Sequence, residues 1–243
     1  MGVASKQVDT FRLVPGRRLA DKYVVGELLG QGWEGEVYHV TEEATGVERA
    51  AKLFFPQRNP HNRAVKFYAK KLNKLRNCPI LIQYCTQDRF RFRGEQITFL
   101  VSEYVEGELL PEFLARQKGK RLQAFDALHL LYPLVKGLEQ IHAMGEYHGD
   151  LHADNVMVRR VGLGFEVKLV DLYHWGRRTS EHVHDDVCSA IRIYYDVIGG
   201  ARLYSNQPPE AKAVCCGLKH SLIWKKFRTA SRLRAFLETM EWE

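Results

Sequence analysis

Through the first hundred residues, apolar and polar positions alternate with a single interruption. "KYVVGELLG" (22–30) is β-rich and ends on glycine. "GEVYHVTEE" (35–43) sets Val37 and His39 against Tyr38 and Val40, and "VERAAKLFF" (47–55) follows across the turn-like "ATG", so both read as strands. Residues 62–77 break the period. There Val65, Tyr68, Leu72 and Leu75 recur at spacings of three and four, on one face of an amphipathic helix with lysines elsewhere. "LIQYCTQDRFRF" and "QITFLVSEYV" then predict a hairpin turning at "RGE".

After Gly107 the pattern turns helical. Residues 124–144 carry Leu128, Leu131, Val135, Leu138 and Ile141, a buried stripe, with Pro133 expected to kink the helix or mark its first turns. "NVMV" and "FEVKLVD" predict two short strands, and helices resume from Asp185. The tail segments "PPEAKAVCCGLKHSLI" and "FRTASRLRAFLETM" suffice for two helices. The expected class is α+β in two lobes. A β-rich lobe with one helix spans 1–104, and a reduced, mainly helical lobe spans 105–243, joined by a connector near 103–108.

A chain of 243 residues, 45% hydrophobic and 27% charged, can bury such cores and is not low in complexity. Its net charge of +7 suits phosphate-rich ligands, but the basic residues are dispersed. The densest stretch, "NRAVKFYAKKLNKLR", holds Arg63, Lys66, Lys70, Lys71, Lys74 and Arg76 and no acid. It is a candidate face for an acidic partner, although lysines on a helix are commonly a solvated face. Nucleic-acid binding rests on charge alone and is the weakest reading. Five cysteines without C-x-x-C spacing argue against a disulfide framework or a structural zinc site, and favour a reducing compartment. No signal-like stretch or membrane span is evident, and Lys6 breaks the myristoylation pattern, so the expected location is the cytoplasm.

Three stretches carry candidate chemistry. Gly30, Gly32 and Gly35 form G-x-G-x-x-G, where absent Cβ atoms let backbone amides approach phosphate. A strand follows rather than a helix, which favours a flap over phosphates above a dinucleotide turn. Lys52 lies in the strand after next and offers a compact positive charge. "HGDLHADN" (148–155) has the spacing H-x-D-x-x-x-x-N, and a further apolar strand leads to Asp171. Asn155 and Asp171 are hard ligands suited to Mg²⁺, and Asp150 could accept a proton from a hydroxyl.

From about Lys22 onward these motifs, taken in order, resemble the protein-kinase superfamily, of the serine/threonine kind but reduced. "RAAK" stands for V-A-I-K, "FLVSEYVEG" for the connector, "HGDLHADN" for H-R-D-x-x-x-x-N, and Asp171-Leu172-Tyr173 for D-F-G. Asp186 falls where the family has a buried aspartate. The resemblance implies a phosphotransferase using ATP and Mg²⁺. Lys52 would hold the α- and β-phosphates, Asn155 and Asp171 the metal, and Asp150 the acceptor hydroxyl, with His152 where such kinases have lysine. Adenine would lie between Val37 and Ala50 above and Met157 below, with its edge on the backbone of Glu103 and Val105. Ser102 would guard the back of the pocket, and Glu108 could reach the ribose.

The chain also departs from the family. Gly149 replaces the arginine of H-R-D, and "HGDLH" is also the form seen in small-molecule kinases. The helix 62–77 has no acid to pair with Lys52 and places Tyr68 near the expected glutamate, so the partner should be Asp171 or Glu36, or the lysine stays unpaired. Asp171 to Asp186 spans 15 positions without A-P-E, too short for a peptide shelf. A switch at Thr179 or Ser180 is therefore not expected, and "HWGRR" becomes a candidate contact for a folded acceptor. Beside a kinase acting on proteins stand a small-molecule kinase of the aminoglycoside type and a pseudokinase that binds nucleotide as an interaction module.

Overall fold

The computed structural model describes residues 7–173 and 176–242. Contacts divide the chain into two compact units. One gathers the chain up to Asn77 together with Ile82–Val105, and the other Cys78–Leu81 with the chain from Glu106 on.

The first unit is a six-stranded antiparallel sheet in the order β1-β2-β3-β4-β6-β5. Its strands are β1 (Arg18–Leu19), β2 (Tyr23–Gln31), β3 (Gly35–Glu42), β4 (Glu48–Phe54), β5 (Tyr84–Phe92) and β6 (Glu95–Glu103). Register opposes Lys52 to Val37 and Leu100, and Ala50 to His39 and Ser102. Opposed residues share a face, so Val37, Ala50, Lys52 and Ser102 lie on one side of the sheet. The other side carries Tyr38, Val40, Ala51, Leu53, Phe99 and Val101, a core that Val8, Phe11 and Leu13 of the N-terminal arm close. Glu36 belongs to this second side. It accepts the Phe11 amide at 3.1 Å and the Tyr38 hydroxyl at 2.6 Å. Burial, and then the Glu36 hydrogen bond, push the Tyr38 phenol up to about 12.

Helix α1 (Arg63–Lys74) starts where the Asn59 side chain accepts the amides of Ala64 and Val65, at 3.1 and 3.4 Å. Val65, Tyr68, Leu72 and Leu75 are buried as the spacing predicts. Lys71 is buried too, beside the Phe67 ring, so the basic stretch is not wholly solvated; Lys66, Lys70 and Lys74 are exposed.

The second unit holds β7 (Glu108–Leu109), α2 (Leu110–Ala115), α3 (Ala124–Ala143), β8 (Val156–Val161), β9 (Gly164–Leu169) and α4 (Ser180–Val197). It continues with α5 (Gly200–Leu203), α6 (Pro209–Cys215), α7 (His220–Lys226) and α8 (Ala230–Thr239). Strands β7, β8 and β9 form a small antiparallel sheet in that order. Helix α3 is the central element: Leu131, Val135, Leu138 and Ile141 are fully buried, and the helix runs on through Pro133. Gly137 is small because Ile80 packs on it; a Cβ there would come within 2.3 Å of the Ile80 side chain. The same short segment bridges Leu81 to Leu169, and Ile80 accepts the Leu169 amide at 2.7 Å.

Three expectations are corrected. Strand β9 ends at Leu169, two residues short of Asp171. Helix α4 begins at Ser180 rather than Asp185, because Thr179 and His182 cap it reciprocally, each side chain accepting the other's amide, at 3.2 and 3.3 Å. The first tail segment forms two helices, α6 and α7, since Cys216 and Gly217 take left-handed conformations (φ 49° and 60°) that end the run. All five cysteines are free thiols. Among the described residues no helix is long and apolar enough to cross a membrane.

Candidate active site

The three loop glycines differ in what the fold asks of them. A Cβ on Gly35 would lie 1.9 Å from the Leu53 carbonyl oxygen, so the β3–β4 pairing requires glycine there. Gly30 and Gly32 have nothing within 4 Å of the same position and no positive φ, so packing does not explain them. Lys52 extends from β4 on the sheet face shared by Val37 and Ala50, and its ammonium is 3.1 Å from Glu34 Oε2 and 3.4 Å from the Tyr68 hydroxyl. Tyr68 in turn donates to the same Glu34 oxygen at 2.7 Å. The expectation of Glu36 as partner is therefore wrong. Glu36 opposes Leu53 and so faces away from Lys52. The helix indeed supplies no acid to Lys52, but the lysine has a carboxylate from the glycine loop itself. Nothing in the hydrophobic period marks Glu34; its only signal is being the one acid between Gly32 and Gly35.

Ser102 is buried and donates weakly to the Glu103 carbonyl at 3.4 Å. The Glu103 amide donates to the Gln83 carbonyl at 2.9 Å. Val105 is half-buried. In the second unit Glu108 pairs with Arg116, and Met157 is half-buried on β8, opposite Leu109.

The loop before β8 is built around Asp186. This carboxylate, 2% exposed on α4, accepts the amides of His148 at 2.7 Å and Gly149 at 3.0 Å and meets His142 Nε2 at 2.9 Å. Burial pushes its pKa upward, but the His142 hydrogen bond, the His148 and His142 charges and the Gly149 amide outweigh that and hold it below the ordinary aspartate value. His142, the last-turn residue of α3, was not singled out by sequence reasoning. His148 Nε2 reaches the Val170 carbonyl at 3.2 Å, and its own carbonyl accepts the Tyr173 amide at 2.9 Å, so the loop and the Asp171 segment are tied together. Asp171 itself has φ 51°, an unusual backbone for a residue with a side chain.

Above this support sit the side chains of interest. Asp150 leaves its carboxylate 52% exposed, 3.6 Å from His152 Nε2. His152 Nδ1 is 3.4 Å from Asp154. The buried Asn155 commits its amide nitrogen to the Asp150 carbonyl at 2.8 Å and to His152 Nε2 at 3.0 Å, which leaves its amide oxygen as the group suited to a cation. The chain thus gathers Asp150, His152 and Asn155 in one loop and ties the Asp171 segment to it. A cavity beside them is lined by Asp150, His152, His182, Asp185 and Ser189.

A family model described as the protein kinase domain matches residues 23–192. The chain belongs to the protein kinase family. Among curated kinases it resembles a probable serine/threonine-protein kinase of Streptomyces coelicolor, 31% identical over 158 residues, covering 64% of this chain and 23% of that one. It also resembles serine/threonine-protein kinase STK11 of Gallus gallus, 31% identical over 180 residues, 70% of this chain and 38% of that one. The chain spans only 23% to 27% of the first such relatives. In fold it is similar to a crystal structure of the Mycobacterium tuberculosis PknI kinase domain, a double mutant, with a TM-score of 0.63, 19% identity, and 94% and 97% of the two chains covered.

Within this kinase domain the expected 15-position stretch is partly helical, since α4 starts at Ser180. With α4 capped at Thr179, only residues 172–179 lie between Asp171 and the helix. His174 and Trp175 of "HWGRR" lie outside the described residues.

Proposed function

We propose that this kinase domain transfers the γ-phosphoryl group of ATP to a hydroxyl of a protein, in the manner of serine/threonine kinases. The observation that carries the reading is the Asp186-supported loop, which holds Asp150 exposed while Asn155 spends its nitrogen inward and keeps its oxygen. Asn155 and Asp171 would hold Mg²⁺, which supplies charge neutralisation at the phosphates. Lys52 would hold the α- and β-phosphates, and the bare Gly30 and Gly32 would let backbone amides approach them. Val37, Ala50, Ser102, the Glu103 carbonyl, Val105 and Met157 would receive the adenine, with Glu108 exchanging Arg116 for the ribose. Asp150 would orient the acceptor hydroxyl and take its proton, with His152 beside it as a positioning group.

A small hydroxylated molecule is the second reading. Two observations favour it: the short residue 172–179 segment, which offers an extended peptide little to lie on, and the cavity beside Asp150. The test is transfer from labelled ATP with Mg²⁺ to folded proteins, short peptides and small alcohols, beside Asp171→Ala and Asp150→Asn. Asp171→Ala should weaken the metal dependence of nucleotide binding. Asp150→Asn should keep nucleotide affinity and lose about a hundredfold or more in kcat. Near-parental turnover by Asp150→Asn would remove the assignment, and efficient phosphorylation of unstructured peptides would remove the argument from the short segment.

A further inference from the structure

Away from these groups, three side chains from two helices converge. His184 and Cys188 are one turn apart on α4, and His220 opens α7. His184 Nδ1 is 3.2 Å from His220 Nε2 and 3.5 Å from Cys188 Sγ, and one ligand atom from each residue lies within 4.8 Å of the other two. Tetrahedral zinc, with bonds of about 2.0–2.1 Å to nitrogen and 2.3 Å to sulfur, sets two nitrogens about 3.3 Å apart and a nitrogen and sulfur about 3.5 Å apart. The nitrogen–nitrogen distance matches; Cys188 Sγ also lies 3.8 Å from His184 Nε2, to the side of the Nδ1 lone pair, so the thiol would turn to reach an ion held there.

Hydrogen bonding accounts for the cluster less well. His184 Nδ1 has either one lone pair or one proton, so it can serve His220 or Cys188 but not both, which leaves the thiol at best a long 3.8 Å contact to Nε2. A cation satisfies all three at once. His184 is also placed as ligands usually are: fully buried, with its ring edge-on to Trp224 at 4.3 Å. The rim is open, for His220 is 62% exposed, and Asp185 Oδ1 stands 3.6 Å from His220 Nε2, outside the set whose ligand atoms all lie within 4.8 Å of one another.

We propose that His184, Cys188 and His220 form a three-ligand zinc site whose fourth position opens to solvent at the exposed His220. Cysteine spacing alone argued against zinc, because the histidines that complete the set come from positions 36 residues apart. The donors are borderline to soft, so Mg²⁺, a hard ion that seeks oxygen, does not compete. The metal would fasten α7 to α4, the helix that carries Asp186, and so stiffen the support of the catalytic loop from behind.

The test uses the whole chain, stripped with a chelator and titrated with Zn²⁺ and, as a spectroscopic probe, Co²⁺. The parent should take up about one equivalent of Zn²⁺ unaffected by excess Mg²⁺, melt higher with zinc than without, and show a thiolate-to-cobalt charge-transfer band. Cys188→Ser should lose that band. His220→Ala, an exposed substitution that leaves the metal-free melting temperature unchanged, should lose at least about tenfold in zinc affinity and the zinc-induced rise in melting. Equal zinc affinity in the parent and in His220→Ala, or a cobalt complex of the parent without the thiolate band, overturns the site.

Discussion

Gly30, Gly32 and Gly35 look alike in the sequence and answer to different demands. Gly35→Ala puts a methyl 1.9 Å from a paired backbone oxygen, which cannot shift without breaking β3 from β4, so it should cost about 3 kcal/mol or more in denaturant unfolding. Gly32→Ala meets open space and should leave stability nearly unchanged while weakening ATP binding by calorimetry. Loss of stability by Gly32→Ala, or unaltered ATP affinity, would show that the loop glycines serve the fold. That Glu34 pairs with Lys52 was not legible. The absence of a helix glutamate could be read, but the return of Glu34 onto Tyr68 and Lys52 depends on a turn that no periodicity encodes. Because that carboxylate holds Lys52 from the side of α1, Glu34→Gln should lower kcat about tenfold with a smaller change in KM. Steady-state kinetics indistinguishable from the parent would mean the pair is incidental.

The elements themselves were largely legible. Alternation found β2 to β6, and the spacings of three and four found α1 and α3, because each buries one face against a core and the period records that face. What failed were boundaries set by local polar chemistry. The start of α4 is written in Thr179 and His182, a histidine standing where a capping box usually has glutamate or glutamine. Thr179→Ala should cost about 1 kcal/mol of stability, with Thr179→Ser close to the parent. If alanine is neutral in chemical denaturation, the cap is not what fixes the helix start. The break between α6 and α7 was likewise hidden, since Cys216 is an unusual residue for a left-handed turn.

For the molecule as a whole, two lobes were expected and the chain divides into two compact units, the helical one with a network at its C-terminal helix. Arg234 on α8 donates to Glu139 of α3 at 2.6 Å and to Glu238 at 2.7 Å, and Tyr132 donates to Glu238 at 2.7 Å. The Arg234 hydrogen bond holds Glu139 below its ordinary 4.5, and the Tyr132 and Arg234 hydrogen bonds do the same for Glu238. Carboxylates with lowered folded-state pKa add stability above the unfolded value and lose it as pH falls through the folded one. Calorimetric melting temperature should therefore drop on acidification below about pH 4.5, and drop less steeply in Arg234→Gln, which starts lower at neutral pH. The groups are partly exposed, so the effect is modest and shrinks with salt. Parallel acid limbs for the two proteins would show that this network does not couple to folding.

Gly149 reaches beyond the single molecule. Its φ is 84°, and a Cβ there would stand 2.9 Å from both the Tyr147 ring and the Tyr173 carbonyl oxygen. An arginine at this place would need a strained backbone and a smaller neighbour at 147 in the same step. Single substitutions therefore do not lead from this chain to one gated by a phosphate on its own short segment.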